Sequence, residues 1–160
     1  MNLPELNGSE KQVKWANDLR NEVVVLIDLY KECLYDFLEY NLEKAKKTAA
    51  RNEKEVSEVV LLKLKMIEER NLKLIEYLKE DLLHNQTEST FFIDFRFSLI
   101  DALEWCATKK KEELKLNLDN GIERKLLYKL YDKVKDNKKG DGVWCWEQVL
   151  NWQLKIYKYN

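Results

Sequence analysis

Residues that break helices are rare in this chain, and their scarcity limits the folds it can adopt. Its 160 residues include one proline and four glycines, the residues that most often interrupt a helix. Charged residues make up 36% of the chain, and Lys and Glu, both good helix formers, dominate them. The sequence therefore predicts a mainly helical protein, long enough to form a domain with its own hydrophobic core.

The first long segment has the apolar spacing of one amphipathic helix over residues 9–49. Ser9 and Gln12 have the types and the spacing of a capping box, in which two orphan N–H groups are satisfied reciprocally. Apolar residues then recur at steps of three and four from Val13 to Ala45. This pattern predicts a single long helix that begins at Ser9.

A second helix is predicted from about residue 52 to residue 83, after a tight turn at residues 50–52. Asn52 and Glu55 have the spacing of a second capping box, and the expected buried stripe includes Val59, Met66 and Leu74. One unbroken helix of about 75 residues would be about 110 Å long and would leave its own apolar stripe exposed. We therefore favour an antiparallel hairpin of two helices.

The polar stretch HNQTEST separates this hairpin from a third predicted helix, FFIDFRFSLIDALEWCA. That helix has apolar residues at helical spacing, and we expect it to pack across the hairpin. The three helices would form a helical bundle scaffold over residues 1–110. The fold class is thus mainly α, a long helical hairpin plus a third helix.

The pattern changes after residue 110, which is the candidate boundary of a smaller C-terminal subdomain over residues 111–160. Leu114, Leu116 and Leu118 alternate as in a strand, whereas NGIERKLLYKLYDKV indicates a helix that starts with a capping box of Asn120 and Glu123. Residues 143–158 fit either short strands or a short helix. The subdomain is therefore expected to be α/β or α, with a small β-sheet as one alternative.

The sequence contains no set of residues with the spacing of a known catalytic or metal site. His84 is the single histidine, and Cys33, Cys106 and Cys145 lie far apart without a CxxC pair. Asp94 is surrounded by aromatic residues that could favour proton chemistry, but we expect structural pairing, with Arg96 or the N-terminal segment. We predict a protein that is not an enzyme and needs no cofactor or metal.

Charge and hydropathy limit where the chain acts. Its formal net charge of -1 does not suit a nucleic-acid-binding protein, although basic residues outnumber acidic ones after Gly121. The N-terminus lacks the pattern of a secretion signal, and no apolar run approaches about 18 residues. The sequence predicts a cytoplasmic protein whose cysteines are buried free thiols.

Aromatic residues concentrate near the C-terminus, with lysines between them. Such side chains stack on single-stranded nucleic acid, anchor protein interfaces or fill the core of a small subdomain. All three interpretations remain open for this segment. The candidate partner-binding residues are Trp144, Trp146, Lys138, Lys139 and Tyr157.

The stretches LPELNGSEKQVKWANDLR and TESTFFIDFR occur together in the chain. The first is similar to the motif LPxLxGSxKQxxWAxxIR. The second is similar to a motif with an aromatic pair, Ile, Asp, any residue and Arg, here Phe91 to Arg96, although Phe stands where Trp is usual. Together they resemble small proteins of phages, plasmids and gut bacteria. Several anti-CRISPR proteins look like this: short, rich in Lys and Glu, and without catalytic motifs.

The resemblance implies an origin in a mobile genetic element and covers about the first hundred residues. From it we expect an inhibitor that binds a host defence nuclease, namely a type II CRISPR effector or its guide-RNA complex, and blocks its activity by occupancy. The alternative is a nucleic-acid-binding accessory protein of phage replication or regulation. We also expect Leu3 and Leu6 to fold back near Trp15 and residues 91–96, so that the two motifs form one contact.

Overall fold

A computed structural model describes residues 3–137 of the chain. The described part is mainly helical and has no strand, which confirms the predicted fold class. A π-helical turn, Glu80–Asn85, follows directly on the second helix. The five α-helices are α1 (Glu10–Arg51), α2 (Glu58–Lys79), α3 (Ser89–Asp94), α4 (Leu99–Lys109) and α5 (Ile122–Asn137).

The first helix begins where the capping box predicts. The backbone N–H of Gln12 donates to Ser9 Oγ at 3.4 Å, and the backbone N–H of Ser9 donates to Gln12 Oε1 at 3.0 Å. The helix ends at Arg51, where Asn52 Nδ2 donates to the carbonyl oxygen of Thr48 at 2.8 Å. One long helix is thus confirmed at both ends to within a few residues.

The predicted hairpin is confirmed, but the predicted start of its second helix is wrong. Asn52 and Glu55 form no capping box, because Asn52 caps the C-terminal end of α1. Glu53 then takes a left-handed conformation, with φ of 51°, and α2 starts six residues after Asn52 with Ser57 as its N-cap residue. Where the helices pack, Tyr30 Oη donates to Asn71 Oδ1 at 2.8 Å.

The third predicted helix is broken in two. After α3, the carbonyl oxygen of Ile93 accepts from the backbone N–H of Arg96 at 3.3 Å and from Arg96 Nη1 at 2.7 Å, so the arginine side chain reinforces the turn that ends the helix. The break lets aromatic rings of the α3 region pack on α4, since Phe91 and Phe95 lie 5.5 Å and 6.2 Å from Trp105 between ring centroids. Aromatic packing between the two short helices therefore replaces one continuous helix.

The strand that the alternating leucines offered for residues 112–118, as one alternative to a helix, does not form. Residues 111–115 form turns, and Lys115 has a φ of 53°. The alternating leucines reflect burial from an irregular segment, because Leu116 and Leu118 belong to the hydrophobic core. The capping box of Asn120 and Glu123 does not form either, since Asn120 N–H donates to Asn117 Oδ1 instead.

Glu123, the first-turn acid of α5, joins that helix to α2 through a buried polar network. Its carboxylate is fully buried and accepts hydrogen bonds from Arg70 Nη2 at 2.6 Å, Asn71 Nδ2 at 3.2 Å and the backbone N–H of Asn117 at 3.0 Å. Leu126, Leu127 and Leu130 of α5 pack in the same core as the hairpin. The boundary near residue 110 and the subdomain at residues 111–160 stay predictions.

The hairpin extends beyond the buried core of the molecule. The buried residues of α1 end at Leu34, and those of α2 begin at Asn71. No residue of 35–51 or 58–70 is buried. We call these two ranges the hairpin tip. At about 1.5 Å per residue, its α1 part is about 25 Å long.

Candidate functional site

The five residues that sequence reasoning selected for partner binding are not among the described residues. Trp144, Trp146, Lys138, Lys139 and Tyr157 all follow residue 137, as does Cys145. Their assignment as partner-binding residues stays a prediction. The surfaces that the structure describes are the contact between the two sequence motifs and the hairpin tip.

The two motifs meet in one contact, as the sequence predicted. The backbone N–H of Asn7 donates to the carbonyl oxygen of Thr87 at 2.7 Å, and the N–H of Ser89 donates to the carbonyl oxygen of Asn7 at 3.0 Å. These bonds form an isolated parallel β-bridge between Asn7 and Glu88. Leu6 is buried in the core, and Leu3 packs against it, so the N-terminal segment closes this end of the bundle.

Motif residues hold that segment in place. Arg20 is buried and donates from Nη1 to the carbonyl oxygen of Pro4 at 2.7 Å. Gly8 has a φ of 145°, and a Cβ atom there would lie 3.0 Å from Ser89 Oγ. Because the backbone comes this close to Ser89, glycine is the residue that fits. These motif positions therefore have structural roles.

An exposed cation–aromatic group lies at the same contact. The guanidinium carbon of Arg96 lies 4.2 Å from the ring centroid of Phe97 and 5.8 Å from that of Trp15. Both rings are exposed. We call Trp15, Arg96 and Phe97 the arginine stack. It joins the last position of the second motif to the tryptophan of the first motif.

The predicted ion pair between Asp94 and Arg96 does not form. Arg96 instead donates to Ile93 and stacks on the two rings. Asp94 is exposed, so its aromatic neighbours in the sequence do not enclose it in apolar surroundings. This exposure removes the reason for assigning proton chemistry to Asp94.

Apolar side chains face outward on α2 at the hairpin tip. Val59, Leu62 and Met66 are 59%, 59% and 58% exposed, and Leu61 is also exposed. The sequence had placed Val59 and Met66 in the buried stripe. That assignment is wrong, because this half of α2 is apolar nearly all round and only the side that faces α1 is covered. Val59, Leu62 and Met66 follow the i, i+3, i+7 spacing of one helix face.

The buried thiols do not form a nucleophilic site. Cys106 Sγ donates to Asp81 Oδ2 at 3.1 Å, and the same oxygen accepts from Lys109 Nζ at 3.0 Å. Burial and the Asp81 carboxylate raise the pKa of the Cys106 thiol, which keeps it protonated and unreactive. Burial also raises the pKa of Cys33. Buried free thiols are thus confirmed for these two residues.

Histidine chemistry finds no support either. His84 lies in the last turn of the π-helical segment, the end that favours a cation. The Cys106 thiol is bonded to Asp81, not to His84. Among residues 3–137, no group of three or more His, Cys, Asp and Glu side chains has an arrangement that could hold a metal ion.

Comparisons with protein-family models, with curated proteins and with solved structures found no match to this chain. Within the described residues, no helix combines the length and the apolar character that crossing a membrane requires. The surfaces described above are therefore the basis for assigning a function.

Proposed function

We propose that this protein is a non-enzymatic inhibitor that binds another protein through the outward face of α2 at the hairpin tip. The partner we propose is a host defence nuclease of the type II CRISPR class. The observation that carries the proposal is the apolar stripe of Val59, Leu62 and Met66, each more than half exposed. We call these three residues the α2 stripe.

The geometry of the α2 stripe suits one recurring mode of protein recognition. Anchors at i, i+3 and i+7 are those of an amphipathic helix that lays its apolar face into a groove of its partner. A helix that is apolar on opposite sides is normally covered on both. Since α1 covers one side of α2, a partner protein is the natural cover for the other.

Charged residues surround the α2 stripe. Lys63, Lys65 and Glu69 lie beside it in the sequence, and Lys65 Nζ is 3.8 Å from Glu69 Oε1. Charges at the edge of an interface contribute little affinity but speed association and select partners. This arrangement supports an apolar contact surrounded by a charged rim. The bound inhibitor would block the partner by occupying its surface.

The choice of partner rests on the resemblance to small proteins of mobile elements. Several anti-CRISPR proteins have the same character, and binding alone is sufficient for inhibition when it covers a nucleic-acid channel or prevents a nuclease domain from moving. The aromatic residues and lysines after residue 137 would add anchors to the same interface. Their role is part of the proposal.

The double variant Leu62→Glu/Met66→Glu is expected to lose binding in a pull-down with a panel of type II effector nucleases. Affinity should fall at least about 100-fold, because two anchors of about 2 kcal/mol each are lost. DNA cleavage by the effector should resume at the same inhibitor concentration. The melting temperature should change little, since both side chains are exposed in the free protein.

A matched control adds the same two charges elsewhere on the tip. Thr48→Glu/Ala50→Glu places them at exposed positions of α1 and should bind as the parent does. The proposal fails if no effector binds the parent protein, or if the α2 variant binds as well as this control. A gel shift that weakens steeply with salt would instead favour the nucleic-acid-binding alternative.

The C-terminal aromatic residues are tested separately. We expect Trp144→Ala/Trp146→Ala to weaken effector binding by at least about tenfold, as is usual for interface tryptophans. Tyr35→Ala is the control, because Tyr35 is an exposed aromatic residue of α1 with a lysine, Lys31, 5.9 Å from its ring centroid. Equal affinities of the two variants, measured by surface plasmon resonance, would remove the tryptophans from the interface.

A further inference from the structure

The arginine stack has the chemistry of a recognition site that the proposed function does not use. In the described part of the chain, the ion pairs of arginine side chains join Arg70 to Glu123 and Arg124 to Glu104. No acidic side chain of residues 3–137 pairs with Arg96. Its charge is therefore held at the surface by two rings and a carbonyl oxygen.

The geometry leaves one edge of the guanidinium available. The hydrogen bond to Ile93 uses Nη1, and the ring centroids of Phe97 and Trp15 lie 4.2 Å and 5.8 Å from the guanidinium carbon. The edge formed by Nε and Nη2 has no acceptor among the described residues. That edge forms two parallel hydrogen bonds with a carboxylate, and stacking on aromatic rings holds it in one orientation.

We propose that the arginine stack binds a carboxylate side chain in an acidic segment of a partner protein. The carboxylate accepts from Nε and Nη2 of Arg96, and the neighbouring part of the segment packs on the exposed faces of Trp15 and Phe97. Arg and Trp are the side chains most enriched among the residues that dominate interface energies. This site is separate from the α2 stripe and does not depend on the function proposed for it.

A protein carboxylate fits this site better than a nucleic acid does. Binding of a strand requires several phosphate contacts along a basic groove, whereas the formal net charge of the chain is -1. The paired donors Nε and Nη2 of one arginine are sufficient to bind one carboxylate, but they are not sufficient to bind a phosphate backbone.

The test uses the full chain and two peptide probes, hexaglutamate and hexaglutamine. Titration is followed by the NMR signal of the Arg96 Nε–H group and by tryptophan fluorescence. Hexaglutamate is expected to shift the Arg96 signal in a saturable manner, whereas hexaglutamine is not. Arg96→Lys keeps the positive charge but removes the paired guanidinium donors, and it should weaken hexaglutamate binding at least about tenfold.

The control variant is Arg51→Lys, which makes the same change at an exposed arginine of α1, and it should bind hexaglutamate as the parent does. Equal binding by the two lysine variants would overturn the proposal, as would the absence of any shift at millimolar hexaglutamate. A hexathymidylate oligonucleotide that binds more tightly than hexaglutamate would also overturn it and assign the stack to nucleic acid. None of these outcomes depends on the α2 stripe or on a nuclease.

Discussion

Replacement of Glu123 by alanine is expected to lower the free energy of unfolding by about 3 kcal/mol, because removal of one partner of a buried ion pair leaves the other uncompensated. The lost carboxylate accepts from Arg70, Asn71 and the backbone of Asn117. All three donors lose an acceptor in a site that Glu123 fills without exposure to solvent. Since Arg70 remains partly exposed, the loss should lie near the lower end of the range for such pairs.

Urea denaturation followed by circular dichroism measures this loss. The control is Asp119→Ala, which removes a carboxylate that is 79% exposed and lies 2.9 Å from Lys111 Nζ. Exposed pairs contribute about 0 to 1 kcal/mol, so the control should change stability by less than that. A loss below about 1 kcal/mol for Glu123→Ala would show that the network does not hold α5 to the hairpin.

Gly8→Ala is expected to destabilise the protein by about 2 to 3 kcal/mol, because strained backbone and a close contact act together. The φ of 145° at Gly8 is one that residues with a Cβ atom rarely adopt. The new Cβ atom would also lie 3.0 Å from Ser89 Oγ and 3.2 Å from Ser89 Cβ. Either the N-terminal segment or α3 must move, and the contact between the two motifs weakens.

A double-mutant cycle separates the two causes of this loss. In a Ser89→Gly background, the close contact disappears while the backbone conformation at residue 8 remains, so Gly8→Ala should cost less by about 1 kcal/mol. Thermal unfolding of the four proteins gives the coupling free energy. If Gly8→Ala costs the same in both backgrounds, the contact with Ser89 is not a cause of the loss.

Local chemistry predicted the parts of the fold that depend on neighbours in the sequence. The capping box of Ser9 and Gln12 and the spacing after Val13 were sufficient to predict α1. The same kind of pattern was misleading at Asn52, because an asparagine side chain can cap the end of one helix as well as the start of the next. Two residues at capping spacing do not show which helix they serve.

Contacts between distant residues were the part that sequence reasoning could not supply. Glu123 has the spacing to cap with Asn120, but Arg70, 53 positions away, offers a charged partner in the core. Arg96 similarly forms no ion pair with the nearby Asp94, and its guanidinium lies against the ring of Trp15 instead. In both cases a tertiary contact replaced the nearest local partner, and only the assembled core decides between them.

The exposed α2 stripe shows a further limit of periodicity. Residues 59–66 are apolar on most sides, and the pattern alone does not indicate which side faces α1. Sequence reasoning therefore counted Val59 and Met66 as buried. The enrichment of residues 59–66 in apolar side chains was the available signal of an exposed binding face, because a helix that packs only against α1 needs one apolar face and not two. The site predicted after residue 137 stays a prediction.

The extended hairpin has a consequence for how the molecule transmits effects of binding. No residue of the hairpin tip is buried, and it contacts α5 at its inner end, through Asp36, Phe37 and Arg70. The outer part of the tip can therefore unfold locally at a lower free energy than the core. A partner that clamps the tip would raise the free energy of this local opening, and that of global unfolding by the same amount, because neither opened state keeps the bound surface. Because Arg70 at the inner end of the tip pairs with Glu123 of α5, the outer part of the tip can change in sequence more freely than its inner end.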